Sequence, residues 1–237
     1  MTTTQTPFIA LHTSITEAIC YVDANGIEIP RDIRIRARRV GAIKAGDDLP
    51  SINANYHDAI TQILTSYFEG GGSIAAPRNE FKRAAVDYLG AAFDLGWTDG
   101  GQDMPPDVDA LNWFNARIEE ELGHIETLFV QAKELRGDSE FDYFSWITAR
   151  ADGYTRTIKE FYNAAKMRAM KDIPVTFLGD DGAESCADCQ KLKGKRHRLS
   201  WFVKRNYIPP FGTGLECHPG GRCQHGLFDD NGNQVTA

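Results

Sequence analysis

From about residue 107 to about residue 170 the chain keeps a helical repeat of apolar positions with one interruption, Gly137-Asp138-Ser139. Two helices of about 30 residues each would extend roughly 45 Å at 1.5 Å per residue. Elements that long do not fit inside a compact α/β enzyme core. They constrain this part of the chain to an elongated helical body in which long antiparallel helices pack side by side. Along the second of them Phe144, Ile147, Tyr154, Ile158, Phe161, Tyr162 and Ala165 form the apolar set, and Lys166, Arg168 and Lys171 near its C-terminus suit the helix dipole.

The helical pattern begins earlier. From about residue 53, Tyr56, Ile60, Ile63, Leu64 and Phe68 share one face, and Gly70-Gly71-Gly72 ends that helix. Pro77 opens another, in which Phe81, Ala84, Ala85, Tyr88, Leu89, Ala92 and Phe93 recur up to Gly96, before Pro105-Pro106 breaks the chain. Residues 53–173 therefore read as one helical body. Residues 1–52 read as a separate N-terminal segment. Within it, Asp23-Ala24-Asn25-Gly26 between apolar runs signals a β-hairpin, residues 31–39 alternate arginines with Ile33, Ile35 and Ala37, and Cys20 sits in an apolar setting as a small buried hydrophobe.

Residues 174–237 have another character. Val175-Thr176-Phe177-Leu178 reads as a strand, and after it come Cys186-Ala187-Asp188-Cys189 and, farther on, Cys217-His218-Pro219-Gly220-Gly221-Arg222-Cys223-Gln224-His225. A Cys-x2-Cys turn followed at a distance by a second Cys/His cluster has the spacing of a structural zinc site, since two thiolates on one turn supply half of a tetrahedron. Cys186, Cys189, Cys217 and Cys223 can fill four positions without histidine, with His225 and His218 as substitute ligands. So small a module has few apolar anchors, and a structural Zn2+ would supply folding free energy that its core lacks. The fold expected is mainly α, an elongated helical body with a small α+β zinc-binding module at the C-terminus.

Composition bears on location and partners. Five cysteines, four of them clustered, suit ligands in a reducing cytosol better than disulfides. The first residues lack the basic and apolar regions of a signal peptide, and no apolar run approaches a membrane span, so no membrane partner is expected. A formal net charge of −7 argues against coating nucleic acid over the whole surface. A local contact with DNA stays open through Lys191, Lys193, Lys195, Arg196 and Arg198, interleaved with His197, Trp201 and Phe202, although such a run also suits an acidic protein surface or plain solvation.

Glu121-Leu122-Gly123-His124 has the Glu-x-x-His spacing of di-iron helix bundles, but the chain holds no second copy. A solvated acidic face carrying one histidine is the expectation there. No Ser/His/Asp arrangement or phosphate-cradling loop stands out, so no catalytic residue and no cofactor other than zinc is expected.

The order strand, Asp-rich turn, Cys186-x2-Cys189, Leu192-x-Gly194, basic and aromatic segment, Pro209-Pro210, then His218-Pro219 leading to Arg222-Cys223, resembles the C-terminal domain of the phage Mu F-like minor head (head morphogenesis) proteins of tailed bacteriophages. The resemblance covers about residues 175–228. That family usually has His-Pro-x-Cys-Arg-Cys; here Gly221 takes the place of its first cysteine and Cys217 stands just before His218. The resemblance implies a structural virion protein, not an enzyme, associated with portal or major capsid protein in the head and present in host cytoplasm during assembly. The alternative from another class is a metal-dependent nuclease or DNA-processing enzyme, whose metal would keep one coordination position open for water.

Overall fold

The computed structural model describes residues 48–70, 72–103, 106–179, 186–209, 214–215 and 225–236. The expected hairpin at Asn25-Gly26, the alternation over 31–39 and Cys20 lie outside them.

Four helices form the body: α1 (Leu49–Gly70), α2 (Ala75–Asp99), α3 (Val108–Leu135) and α4 (Tyr143–Ala169). Their starts follow local capping chemistry. Asp48 accepts from the backbone N–H of Ser51, so that α1 begins at Leu49, four residues ahead of the boundary expected at residue 53. Asp107 accepts from Ala110 N at 2.8 Å and Asp142 from Ser145 N at 3.2 Å, each occupying a donor that the first helical turn leaves without a partner.

Phe93 against Phe114 (α2 and α3), Arg117 against Glu160 (α3 and α4) and Phe68 against Tyr143 (α1 and α4) join antiparallel pairs of helices. The last two long helices are joined by the short turn around Gly137 as an antiparallel pair, but the most extensive backbone packing is between α2 and α4, which run parallel, with Phe81 against Tyr154 and Gly96 against Tyr162. Small side chains allow it. Ala85, Ala92, Ala165 and Ala169 lie in the core, and Gly96 meets the Tyr162 carbonyl so closely that no Cβ fits. α1 packs across this pair, while α3 reaches it through longer side chains such as Phe114, Ile118, Leu122 and Phe129. The structure is thus mainly helical, with one apolar core shared by all four helices. Phe144, counted in the apolar stripe of α4, is instead 58% exposed.

After α4 the chain builds a small antiparallel sheet, in order β2-β1-β3, from β1 (Pro174–Gly179), β2 (Arg196–Arg198) and β3 (His225–Phe228). Two short helices, α5 (Ala187–Leu192) and α6 (Leu199–Lys204), complete the module. Val175, Phe177 and Leu227 point inward onto a second core with Cys189, Leu192, Leu199 and Phe202. Met167 of α4 belongs to that core, which joins module and body. Arg168 reinforces the join by donating to Asn206 Oδ1 at 3.1 Å. The free edge of β3 is covered when Val235 N donates to Leu227 O, and β2 presents two arginines on an edge of three residues, both of which discourage further strand pairing. No helix among the described residues is long and apolar enough to cross a membrane.

Candidate metal knuckle and basic surface

The Cys186-x2-Cys189 turn is the start of α5. Cys186 is the N-cap, and its Sγ accepts the backbone N–H of Cys189 at 3.4 Å while its carbonyl accepts from Gln190 N. The N–H aimed at sulfur fixes the orientation of the Cys186 side chain on the turn. Cys186 is half-buried, and Cys189 is buried in the second core beside Phe177 and Leu192. Burial among apolar side chains also suits a neutral thiol, so it is the shared turn that makes the two cysteines a candidate ligand pair.

The helix is pinned to the sheet at its far end. Lys193 N donates to Cys189 O, and Gly194, at φ +75°, turns the chain so that its N–H meets Phe177 O at 2.8 Å and Lys195 O accepts from Phe177 N at 3.0 Å. The Leu192-x-Gly194 element of the sequence thus bolts the cysteine turn to β1. β3 then runs antiparallel to β1 with His225 opposite Gly179. The chain leaves β1 toward Cys186 at the same end of the sheet where it enters β3 at His225. His225 is buried, its ring centroid 5.3 Å from that of Phe177, and its ring fills the space a side chain at residue 179 would need.

Of the expected ligands, then, Cys186 and Cys189 are brought together on one turn, and the substitute His225 is buried at the start of β3. Cys217, Cys223 and His218 lie outside the described residues. Among the described residues no group of three or more His, Cys, Asp or Glu is placed to hold a metal ion.

The basic run is more occupied than its composition suggests. Arg196 holds Asp230 with both Nη2 (2.7 Å) and Nε (3.1 Å), and Arg198 donates to the Asp172 carbonyl at 2.7 Å. The Asp230 carboxylate in turn raises the pKa of Arg196. Lys191 lies 3.7 Å from Asp188. The ring of Trp201 is stacked on His197 at 4.0 Å, and the Arg205 guanidinium lies 4.3 Å from its centroid. Rings packed on one another in this way have less face to offer to a base. Lys193 and Lys195 are exposed on either side of Gly194. Where the module meets the body, a cavity of about 440 Å3 is lined by Trp113, Arg168, Ser200 and Lys204. Burial pushes the pKa of Arg168 down to about 10.

The Glu-x-x-His pair departs from the expected solvated face. Glu121 is buried and accepts from Arg117 Nη2 at 2.5 Å; only Glu120 and His124 are solvated. The same guanidinium reaches Glu160 of α4. Burial raises the pKa of Glu121 although Arg117 and His124 oppose the shift. This ion network went unread in the sequence. Its local signal was Arg117 four residues before Glu121, together with Glu160 set between the apolar Ile158 and Phe161.

No protein-family model, no curated protein and no solved structure matches the chain.

Proposed function

We propose that this protein is a structural minor head (head morphogenesis) protein of a tailed bacteriophage, which docks on portal or major capsid protein during head assembly and carries a structural zinc ion in its C-terminal module. The observation that carries the reading is the cysteine knuckle. Cys186 and Cys189 share one capped turn, Cys186 Sγ takes the Cys189 N–H, and the turn is bonded back to β1 through Gly194. Two thiolates so held supply half of a tetrahedral site.

Cys217 and Cys223 are the remaining ligands proposed, with His225 and His218 as substitutes. The ion would fasten α5 to the segment that leads into β3, a structural task that leaves no position for a reacting water. The long four-helix body supplies the docking surface. DNA is the weaker partner for Lys191, Lys193, Lys195, Arg196 and Arg198, because Arg196 already holds Asp230 and Arg198 a backbone carbonyl.

The test is to purify assembled heads and to identify the proteins present and their cross-links to this chain by mass spectrometry. The protein is expected in heads, cross-linked to portal or capsid protein, with about one zinc ion per chain. Its absence from heads would overturn the structural role. Metal-dependent cleavage of DNA by the purified protein, lost in Cys186→Ser, would replace that role with a nuclease.

A further inference from the structure

At the end of the body farthest from the module, α1 finishes, α3 turns into α4, and five aromatic rings gather. Phe68 stacks on Tyr143 at 5.4 Å and 11°, and meets Trp146 edge-on at 5.7 Å and Phe141 at 6.0 Å. Tyr143 lies 4.2 Å from Phe144. None of these five side chains is fully buried, and Phe144 is the one aromatic among the exposed large apolar side chains of the described residues. A solvent-facing helix connection has no need of such a group, whereas aromatic rings on a rigid support are the usual anchors of a protein interface.

The charges around the rings say what fits there. Glu69 accepts from Tyr143 Oη at 3.4 Å, Asp138 and Glu140 lie in the turn before Phe141, and Asp142 caps α4. The hydrogen bonds from Ser145 hold Asp142 below the usual carboxylate range, so it stays charged. Two guanidinium groups are near, Arg136 4.4 Å over Tyr67 and donating to Gly72 O, and Arg150 5.3 Å over Trp146 and donating to Gln131, so the four carboxylates outnumber them and the tip is net acidic. A second copy docked here would set carboxylates against carboxylates. Nucleic acid or an anionic membrane would be repelled.

We infer that this aromatic tip is the docking surface for a partner polypeptide that presents an apolar side chain flanked by lysine or arginine. The inference rests on the docking function proposed above and locates it. With the partner at the tip and the cysteine knuckle beyond the other end of α4, the protein would act as a spacer about 40 Å long between its two ends.

The test compares the full chain with Phe144→Ser and with Val108→Ser, which removes an equally exposed apolar side chain at the opposite end of the body. Each is titrated calorimetrically, at physiological salt, with a synthetic amphipathic helical peptide of leucine and lysine and with its leucine-glutamate counterpart. The leucine-lysine peptide is expected to bind and the leucine-glutamate peptide not to. Phe144→Ser should weaken binding about tenfold or more, which corresponds to ~1.4 kcal/mol, with unchanged melting temperature, and Val108→Ser should leave it as it was. Equal weakening by both substitutions, or none by Phe144→Ser, would overturn the assignment. So would sedimentation showing a wild-type dimer that Phe144→Ser dissolves, or binding of anionic vesicles that Phe144→Ser abolishes. If Phe144→Ser still entered heads at the wild-type level, the tip would be excluded while the head function stood; absence of the wild type from heads would remove that function instead.

Discussion

Arg117 of α3 donates from Nε to Glu160 of α4 at 2.9 Å, and both side chains are 3% exposed. The same guanidinium also holds Glu121. One buried cation thus faces two buried carboxylates between helices whose backbones otherwise stand apart. Removing it would leave two buried carboxylates without their guanidinium. Arg117→Met is expected to cost about 3–5 kcal/mol, while Arg117→Met with Glu121→Gln and Glu160→Leu recovers most of that. Urea denaturation midpoints of the single and triple variants check this. A single variant within experimental error of the wild type would mean that the network contributes nothing.

Gly96 lies against the Tyr162 carbonyl with no space for a Cβ, whereas Gly123, on the exposed face of α3, has open space around it. Gly96→Ala should therefore force α2 from α4 and cost about 1–3 kcal/mol, as overpacking does. Gly123→Ala should gain about 0.5–1 kcal/mol from helix propensity alone. Opposite signs in thermal melts of the two variants are the expected result; two stabilising changes would show that the helices can separate at no cost.

The course of the main chain was legible in the sequence where glycine and proline punctuate long periodic segments. Gly70 and Pro77 bracket the turn between α1 and α2, and Gly137 marks the one between α3 and α4. The strand expected over 175–178 is β1. Less legible was which helix packs on which. Periodicity gives the buried face of a helix but not its neighbour, and the approach of α2 to α4 depends on Gly96 meeting one particular carbonyl. The short elements α5, β2, α6 and β3 are too brief for any period to register. For the same reason Phe144 falls in the expected stripe: it sits at helical spacing from Ile147, but as the second residue of α4 it is exposed at the end of the bundle. The Cys186-x2-Cys189 turn was legible because its two cysteines are neighbours in sequence. Of the charged partners of Arg117, Glu121 is one helical turn away and could be read from the spacing, whereas Glu160 lies 43 residues away and only its place between apolar residues hints at it.

Asp87 of α2 has its carboxyl pushed up to about 6 by burial, against the opposing charge of Arg83. A carboxyl with a raised pKa favours the folded state fully below the unfolded value near 4, and that contribution is lost as pH rises through about 6. Asp87→Asn removes the penalty that the wild type carries at neutral pH. The variant should be the more stable at about pH 7.5, with the advantage shrinking toward about pH 4.5. Denaturant midpoints of both proteins across that range check the sign. An advantage independent of pH would assign the effect to packing instead.

The knuckle makes the zinc reading separable from simple destabilisation. Cys189 is buried in the second core, so Cys189→Ser perturbs packing with or without an ion, whereas Cys186 is half-buried and its Sγ accepts a single backbone N–H. If Cys186 is only a helix cap, serine replaces it with a better acceptor and the module should hold or gain stability. If it is a ligand, Cys186→Ser should release the ion and lose much of the roughly 10–16 kcal/mol of apparent binding free energy available to such a site. Cys217→Ser and Cys223→Ser should then release zinc as well. His225→Ala should keep it, although loss of a buried ring packed on Phe177 lowers stability by about 1–3 kcal/mol. Zinc per folded chain, measured by atomic emission on protein passed over a chelating resin, distinguishes these cases. Retention in Cys217→Ser with release in His225→Ala would make the site Cys3His, and full occupancy in Cys186→Ser would remove the knuckle from it.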